Sequence, residues 1–233
     1  MNNTAITQQP TQKSQLPLFR VISWLVTLLV PVFLTVGAVR LMLSPLFINI
    51  EYRLPGFPVD RYGFTTEERL EYANLARIYL VNSADISFLG DLRFKDGTPM
   101  YNPRELSHMV DVKTVVQGGL LVWYFSLFVL IGSGLWAWFA GWWPAYARGL
   151  GRGGWLTMIL LGLLLFLVLL SFRFIFVAFH NIFFASGTWT FNYSDTLIRL
   201  FPERFWFDVF IAVGGVTLLG GLALGLLFGR KSG

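Results

Sequence analysis

Four apolar runs constrain this sequence more than any other feature, because each is long enough to cross a bilayer as a helix, which takes about 20 residues. They lie between Arg20 and Arg40, Lys113 and Arg148, Arg152 and Arg173, and Asp208 and Arg230. A buried core helix of a water-soluble protein needs only about 10–14 apolar residues. Four longer runs, in a chain that is 55% hydrophobic and 13% charged, make the bilayer the expected solvent.

The placement of charge predicts topology. All 13 acidic residues fall within 51–111 and 195–208, whereas the N-terminal tail, the 140–154 loop and the C-terminus carry only Lys13, Arg20, Arg148, Arg152, Arg230 and Lys231. By the excess of Lys and Arg on cytoplasmic loops, those three segments and both termini are expected in the cytoplasm. The 44–111 segment is also partly basic, but loops of about 60 residues or more translocate largely regardless of charge. Trp24, Trp136, Trp138, Trp142, Trp143 and Trp155 gather near the expected inner boundary, and Trp189 and Trp206 near the outer one, as interfacial aromatic belts do. The first run is longer than the apolar part of a signal peptide, about 7–15 residues, so it reads as a retained anchor.

The fold class expected is an all-α membrane bundle of four transmembrane helices with a small α+β extracytoplasmic domain inserted between helices 1 and 2. In chain order this gives a disordered cytoplasmic tail (1–18), the first transmembrane helix (19–43), the extracytoplasmic cap domain (44–111) and the second helix (112–139). A cytoplasmic loop (140–154), the third helix (155–180), an outer loop (181–207), the fourth helix (208–229) and a cytoplasmic tail (230–233) follow. Within the cap, Thr65 and Glu68 make a capping box that opens a helix with Leu70, Ala73, Ala76 or Arg77, and Leu80 on one stripe. Phe88 to Phe94 reads as a strand, and Asp96-Gly97 as a hairpin turn leading to Met100 and Tyr101. So small a domain without cysteine is expected to use the membrane helices as its floor. Asn102-Pro103-Arg104-Glu105 is a helix start, with Asn as N-cap, Pro at the first position and Glu at the third. Ser194-Asp195 is expected to cap a short amphipathic helix ending before Pro202. The glycines of the fourth helix, from Gly214 to Gly225, fit close helix packing.

The absence of cysteine excludes disulfides, thiolate metal sites and a catalytic thiol. The net charge of +5 is not gathered into a basic stripe, so no nucleic-acid partner is expected. No Gly-rich phosphate loop, HExxH or GxSxG is present, and Ser107, Ser186 and Tyr101 are candidate nucleophiles only by proximity.

The chain has two histidines, and separate arguments place them at one depth. His108 lies in the first turns of a helix descending from the outer side, and His180 in the last turns of a helix rising to it. Neighbouring antiparallel helices would let the two imidazoles face each other. Arg104, His108 and Asp111 follow an i, i+4, i+7 pattern on one face, where a carboxylate can orient an imidazole acting as a base. Arg173, seven residues before His180, shares its face and reaches either lipid phosphate or a polar cavity near the histidines. Two alternatives use the same residues: a bis-histidine haem site, and a mononuclear metal site completed by Asp111 or Glu105. A non-enzymatic receptor or assembly module, working through the outer domain, is a further alternative. A channel or transporter fits less well, since no charge lies deep in the first, second or fourth helix.

The run Asn102-Pro103-Arg104-Glu105-Leu106-Ser107-His108-Met109-Val110-Asp111-Val112-Lys113 resembles the signature of a bacterial four-helix membrane family, the lipoprotein intramolecular transacylases. Phe179-His180-Asn181-Ile182-Phe183-Phe184, Gly187-Thr188-Trp189 and the stretch from Leu197 to Glu203 add to the likeness, which covers most of residues 20–228. The resemblance implies transfer of an acyl chain, within a diacylglyceryl-modified lipoprotein, from glycerol to the α-amino group of the N-terminal cysteine. It implies that His108 and His180 are the essential pair, that the partners are membrane lipid and a lipoprotein N-terminus, that no cofactor is needed, and that the protein resides in a bacterial plasma membrane. Arg104, Asp111 and Arg173 are the residues expected to meet substrate, with Arg104 or Arg173 as candidate oxyanion partners.

Overall fold

Residues 16–229 are described by a computed structural model. The tail expected over 1–15 and the residues 230–233, with Lys13, Arg230 and Lys231, lie outside the described residues, while residues 16–18 already belong to the first helix. Among the described residues the secondary structure is helical, and four helices are long and apolar enough to span a membrane. These are α1 (Leu16–Met42), α5 (Pro103–Phe139), α6 (Trp143–Leu170) and α9 (Glu203–Phe228). Between α1 and α5 lies a cap containing α2 (Pro45–Glu51), α3 (Thr66–Val81) and α4 (Ser87–Gly90). Between α6 and α9 come α7 (Phe172–Phe183) and α8 (Thr196–Leu200).

The α+β character expected of the cap is not found. Residues 88–94 form no strand: Asp85 accepts the N–H of Ser87 (2.8 Å) and starts the helical turn α4. The expected turn at Asp96-Gly97 exists, with Gly97 at φ 84°, but it closes only one isolated bridge, Arg93 with Pro99. Pro99 has no N–H with which to extend a ladder. Leu89 is instead fully buried among Ala76, Tyr79, Met100 and Tyr101.

Both anticipated capping boxes form. Thr65 Oγ1 accepts the N–H of Glu68, and Asn102 Oδ1 accepts that of Glu105, with each Glu reaching back to its cap residue. The face buried by α3 is wider than the expected stripe: Ala73 and Ala76 are buried, Leu70 and Leu80 are half-buried against the core, and Arg69 and Tyr79 are buried beside them. Arg69 is held inside because its Nη1 donates to Pro58 O (2.6 Å) and its guanidinium lies over Tyr52 and Phe57.

The cap does rest on helix ends. One part of its core includes Met109 of α5 with Leu197 and Leu200 of α8, and another joins Ile48, Tyr52 and Ala73 to Phe205 of α9. A 37-residue helix is about 55 Å long, well beyond the roughly 30 Å hydrocarbon core, so α5 serves both as a span and as a wall of the cap.

Glycines set the bundle. A β-carbon at Gly154 would sit 2.5 Å from Gly221 O and Gly225 N, and one at Gly149 would sit 2.6 Å from Ser23 O. The α6 backbone therefore touches α9 on one side and α1 on the other, as small residues permit. Thr27 Oγ1 adds a bond to Gly149 O (3.2 Å), and Ser23 Oγ accepts from Arg152 (2.7 Å).

Two features depart from the expected third helix. It begins at Trp143, inside the stretch read as the 140–154 loop, because the turn needs only Ala140 to Trp142, with Gly141 at φ 77°. It also breaks at Ser171 (φ −157°, ψ 83°), so the run to Phe183 is a separate helix. The break lets Phe172 pack against Phe207 and Phe210 of α9, and Phe176 against Trp206.

Candidate functional site: two buried histidines in an aromatic box

The Asn102 cap fixes where α5 starts, and Glu105 fixes how it meets α8. Glu105 is 1% exposed; its Oε2 accepts the N–H of Asn102 (2.8 Å) and its Oε1 that of Leu197 (2.7 Å). A charge-assisted bond to a backbone amide 92 residues away thus ties two elements together one turn before His108.

His180 sits in the last turn of α7, the segment redirected by Ser171. Its Nδ1 is 2.8 Å from Phe176 O. A carbonyl can only accept, so Nδ1 carries the proton and Nε2 keeps its lone pair. The His108 and His180 ring centroids are 6.3 Å apart, with the ring planes inclined by 21°. Each residue is only 8% exposed.

An aromatic box closes around the pair. Phe184 and Phe191 lie 4.9 and 5.4 Å from the His108 ring, while Phe176 and Trp189 lie 4.0 and 4.7 Å from the His180 ring. His108 Nδ1 and Trp189 Nε1 are buried without a hydrogen-bond partner. Buried polar atoms are usually satisfied, so two orphans beside a lone-pair nitrogen mark a place suited to a polar guest.

Three other residues singled out in the sequence stand further back. Arg104 pairs with Asp195 (3.1 Å) and lies over the Phe191 ring, on which His108 also packs. Asp111 and Arg173 are exposed and, among the described residues, make no side-chain hydrogen bond or ion pair. None of the three bonds to an imidazole. Ser107 and Ser186 are exposed, and Tyr101 is buried in the cap core. No cluster of three or more His, Asp or Glu able to hold a metal occurs among the described residues, and Glu105 is committed to two amides.

A second constellation includes Tyr193 of the loop from Phe184 to Asp195. Asp60 accepts from Arg199 Nη2 (3.0 Å), Phe64 N (2.8 Å) and Tyr62 N (3.2 Å). Burial alone would raise the Asp60 carboxyl, but the Arg199 bonds and the two amides outweigh it and hold it below its ordinary pKa. This ion pair walls a cavity of about 440 Å³. The sequence reading missed it, since its parts come from residues 58–69 and 193–203.

Fold and site together define a polytopic membrane protein that buries two imidazoles at one end of its bundle, within a box of aromatic rings. The chain belongs to the lipoprotein intramolecular transacylase Lit family, whose model matches residues 21–206. An uncharacterized protein of Aquifex aeolicus (strain VF5) is 33% identical over 211 residues, covering 87% of this chain and 91% of that one. The in meso structure of the membrane integral lipoprotein intramolecular transacylase Lit from Bacillus cereus superposes with a TM-score of 0.74 at 21% identity, over 93% of this chain and 95% of that chain. A histidine-to-alanine variant of the same protein gives 0.68 at 20% identity, over 93% and 94%.

Proposed function

We propose that this protein is a membrane acyltransferase, moving an acyl chain within a diacylglyceryl lipoprotein from glycerol to the N-terminal cysteine amine. The observation that carries the reading is the convergence of His108 and His180, 6.3 Å apart and both buried, with the tautomer of His180 set by Phe176 O. His180 Nε2 is the base. As the α-amine nitrogen attacks the ester carbonyl carbon, Nε2 takes its proton; when the ester C–O bond breaks, that proton passes to the departing glycerol oxygen. An amide forms, a glycerol hydroxyl is released, and atoms balance with no cofactor. His108, with a nitrogen lacking a protein partner, faces the reacting carbonyl and orients it. Donor and acceptor belong to one molecule, so most of the acceleration is positional, up to about 7–11 kcal/mol in favourable cases.

Asp111 and Arg173 meet substrate, and Arg104 acts through Phe191. Asp111 attracts the amine as its ammonium form, which gives its extra proton to water before the neutral amine attacks; Arg104 holds Phe191 against His108, and Arg173 meets the lipid ester region. The cap lies on the extracytoplasmic face of a bacterial plasma membrane, with both termini inside; the charge asymmetry of residues 51–111 against 140–154 supports this.

The product is an isomer of the substrate, so the test is fragmentation mass spectrometry of a reporter lipoprotein from cells making the protein. N-acylated cysteine on a monoacylglyceryl thioether is expected, and it is lost in His108→Ala or His180→Ala. A free-amine diacyl cysteine with the wild-type protein refutes the activity.

A further inference from the structure

We infer that the cavity beside the Asp60–Arg199 ion pair is the subsite for the peptide that follows the lipidated cysteine, and that it selects a carboxylate among the first residues of that peptide. This rests on the acyl-transfer reading above.

The cavity, about 440 Å³, is lined by Arg61, Tyr62, Arg69, Tyr193 and Glu203 as well as the ion pair. That volume is enough for a few peptide side chains and falls within the range of known ligand sites, about 300–1,000 Å³. Its charges are unequal. Asp60 is neutralised by Arg199 and by two backbone amides, which leaves Arg61 and Arg69 facing the single carboxylate of Glu203. Arg69 is 4% exposed, and its Nε is buried without a partner. Arg69 thus adds positive charge from inside the wall, while Arg61, exposed at its edge, presents the guanidinium whose geometry a carboxylate matches. Tyr62 and Tyr193 are 53% and 81% exposed at the rim, as flat amphipathic rings that bind peptide often are.

Position supports a peptide over a lipid headgroup. The loop from Phe184 to Asp195 carries Phe191 against His108 and, two residues later, Tyr193 into the cavity. Two extended residues span about 7 Å, so a peptide leaving an amine held at the histidines reaches the cavity within its first few residues. Glu105 fixes the register by tying α8, which supplies Ile198 and Arg199, to the turn of α5 that precedes His108.

The experiment compares purified full-length protein in micelles on three substrates: diacylglyceryl-cysteine amide, the same cysteine followed by a peptide with Asp or Glu in its first four residues, and that peptide with Asn or Gln instead. Loss of free amine is the readout. The wild type should favour the acidic over the carboxamide peptide in kcat/KM by about fivefold, the scale of one partly exposed ion pair. Arg61→Ala should bring that ratio down, and Arg61→Glu should invert it. Because the ratio is internal to each preparation, a partly misfolded variant does not disturb it. A wild-type ratio near one, or Arg61→Glu keeping the wild-type preference, overturns the subsite while turnover of the peptide-free substrate leaves acyl transfer standing. No turnover of any of the three refutes acyl transfer itself, and the subsite with it.

Discussion

Replacing Asp60 by Asn tests whether one buried ion pair holds the cap loop to α8. In the wild type the side chains of Asp60 and Arg199 are 2% and 9% exposed, the pair is joined at 3.0 and 3.3 Å, and the guanidinium lies 3.7 Å from the Phe64 ring centroid. Asn keeps an oxygen for the Phe64 amide but removes the charge, stranding Arg199. Breaking one side of a buried pair costs about 3–5 kcal/mol. Discounting to about 3 kcal/mol, because Arg199 also borders an open cavity, local opening of residues 57–64 becomes more frequent by about two orders of magnitude. Hydrogen exchange followed by mass spectrometry on micellar protein at neutral pH reads this directly. Peptides covering 57–64 and 196–201 should exchange about 100-fold faster in Asp60→Asn, with the interior of α6 unchanged. Acid provides an internal check. The folded Asp60 pKa lies below its ordinary value, so its stabilisation is complete above that value and is lost as pH falls through the folded one. The wild-type segment should therefore loosen below about pH 4, a change that Asp60→Asn should lack. Exchange in the variant within about threefold of wild type would refute the assigned role.

Other outcomes follow from the same contacts. Burial, and then the neighbouring carboxyl of Asp208, push Glu51 up from 4.5 to about 7; the folded state thus binds the proton more tightly, and stability should fall as pH rises from about 4.5 through 7. Glu51→Gln should remove that decline in thermal unfolding, and its midpoint at pH 8 should exceed that of the wild type. Gly154→Ala must push α6 and α9 apart, at about 1–3 kcal/mol, while Gly162→Ala, which meets nothing within 4 Å, should be neutral or stabilising by up to about 1 kcal/mol; unfolding in detergent separates them. Glu105→Ala leaves two buried amides unpaired, costing about 1–3 kcal/mol each, and should lower the unfolding midpoint more than Asp111→Ala does.

What the sequence reveals depends on how local the cause is. Helix starts at Thr65 and Asn102 are legible because their signals span four residues, and the four long helices because apolar length is summed along one run. The strand misreading at Phe88 to Phe94 reflects the ambiguity of short apolar runs, in which Asp85 decides for a helical turn. The break at Ser171 carries no Pro or Gly to announce it; its partners are Phe207 and Phe210, far along the chain. The histidine pairing is half legible, since depth follows from helix direction but the enclosure by Phe184, Trp189 and Phe191 depends on how a loop folds back. Nothing local in the sequence singles out Arg69, which is inside only because Pro58, Tyr52 and Phe57 hold it.

Leu197 and Leu200, at the heart of the cap core, are made only after three spanning helices have been synthesised. The cap core therefore stays incomplete through most of synthesis, lacking Leu197 and Leu200 until α8 docks through the Glu105 bond. Biogenesis acquires an order from this: bilayer insertion comes first and closure of the cap last, so a truncated product presents an open apolar face to proteolysis and never a completed reaction chamber.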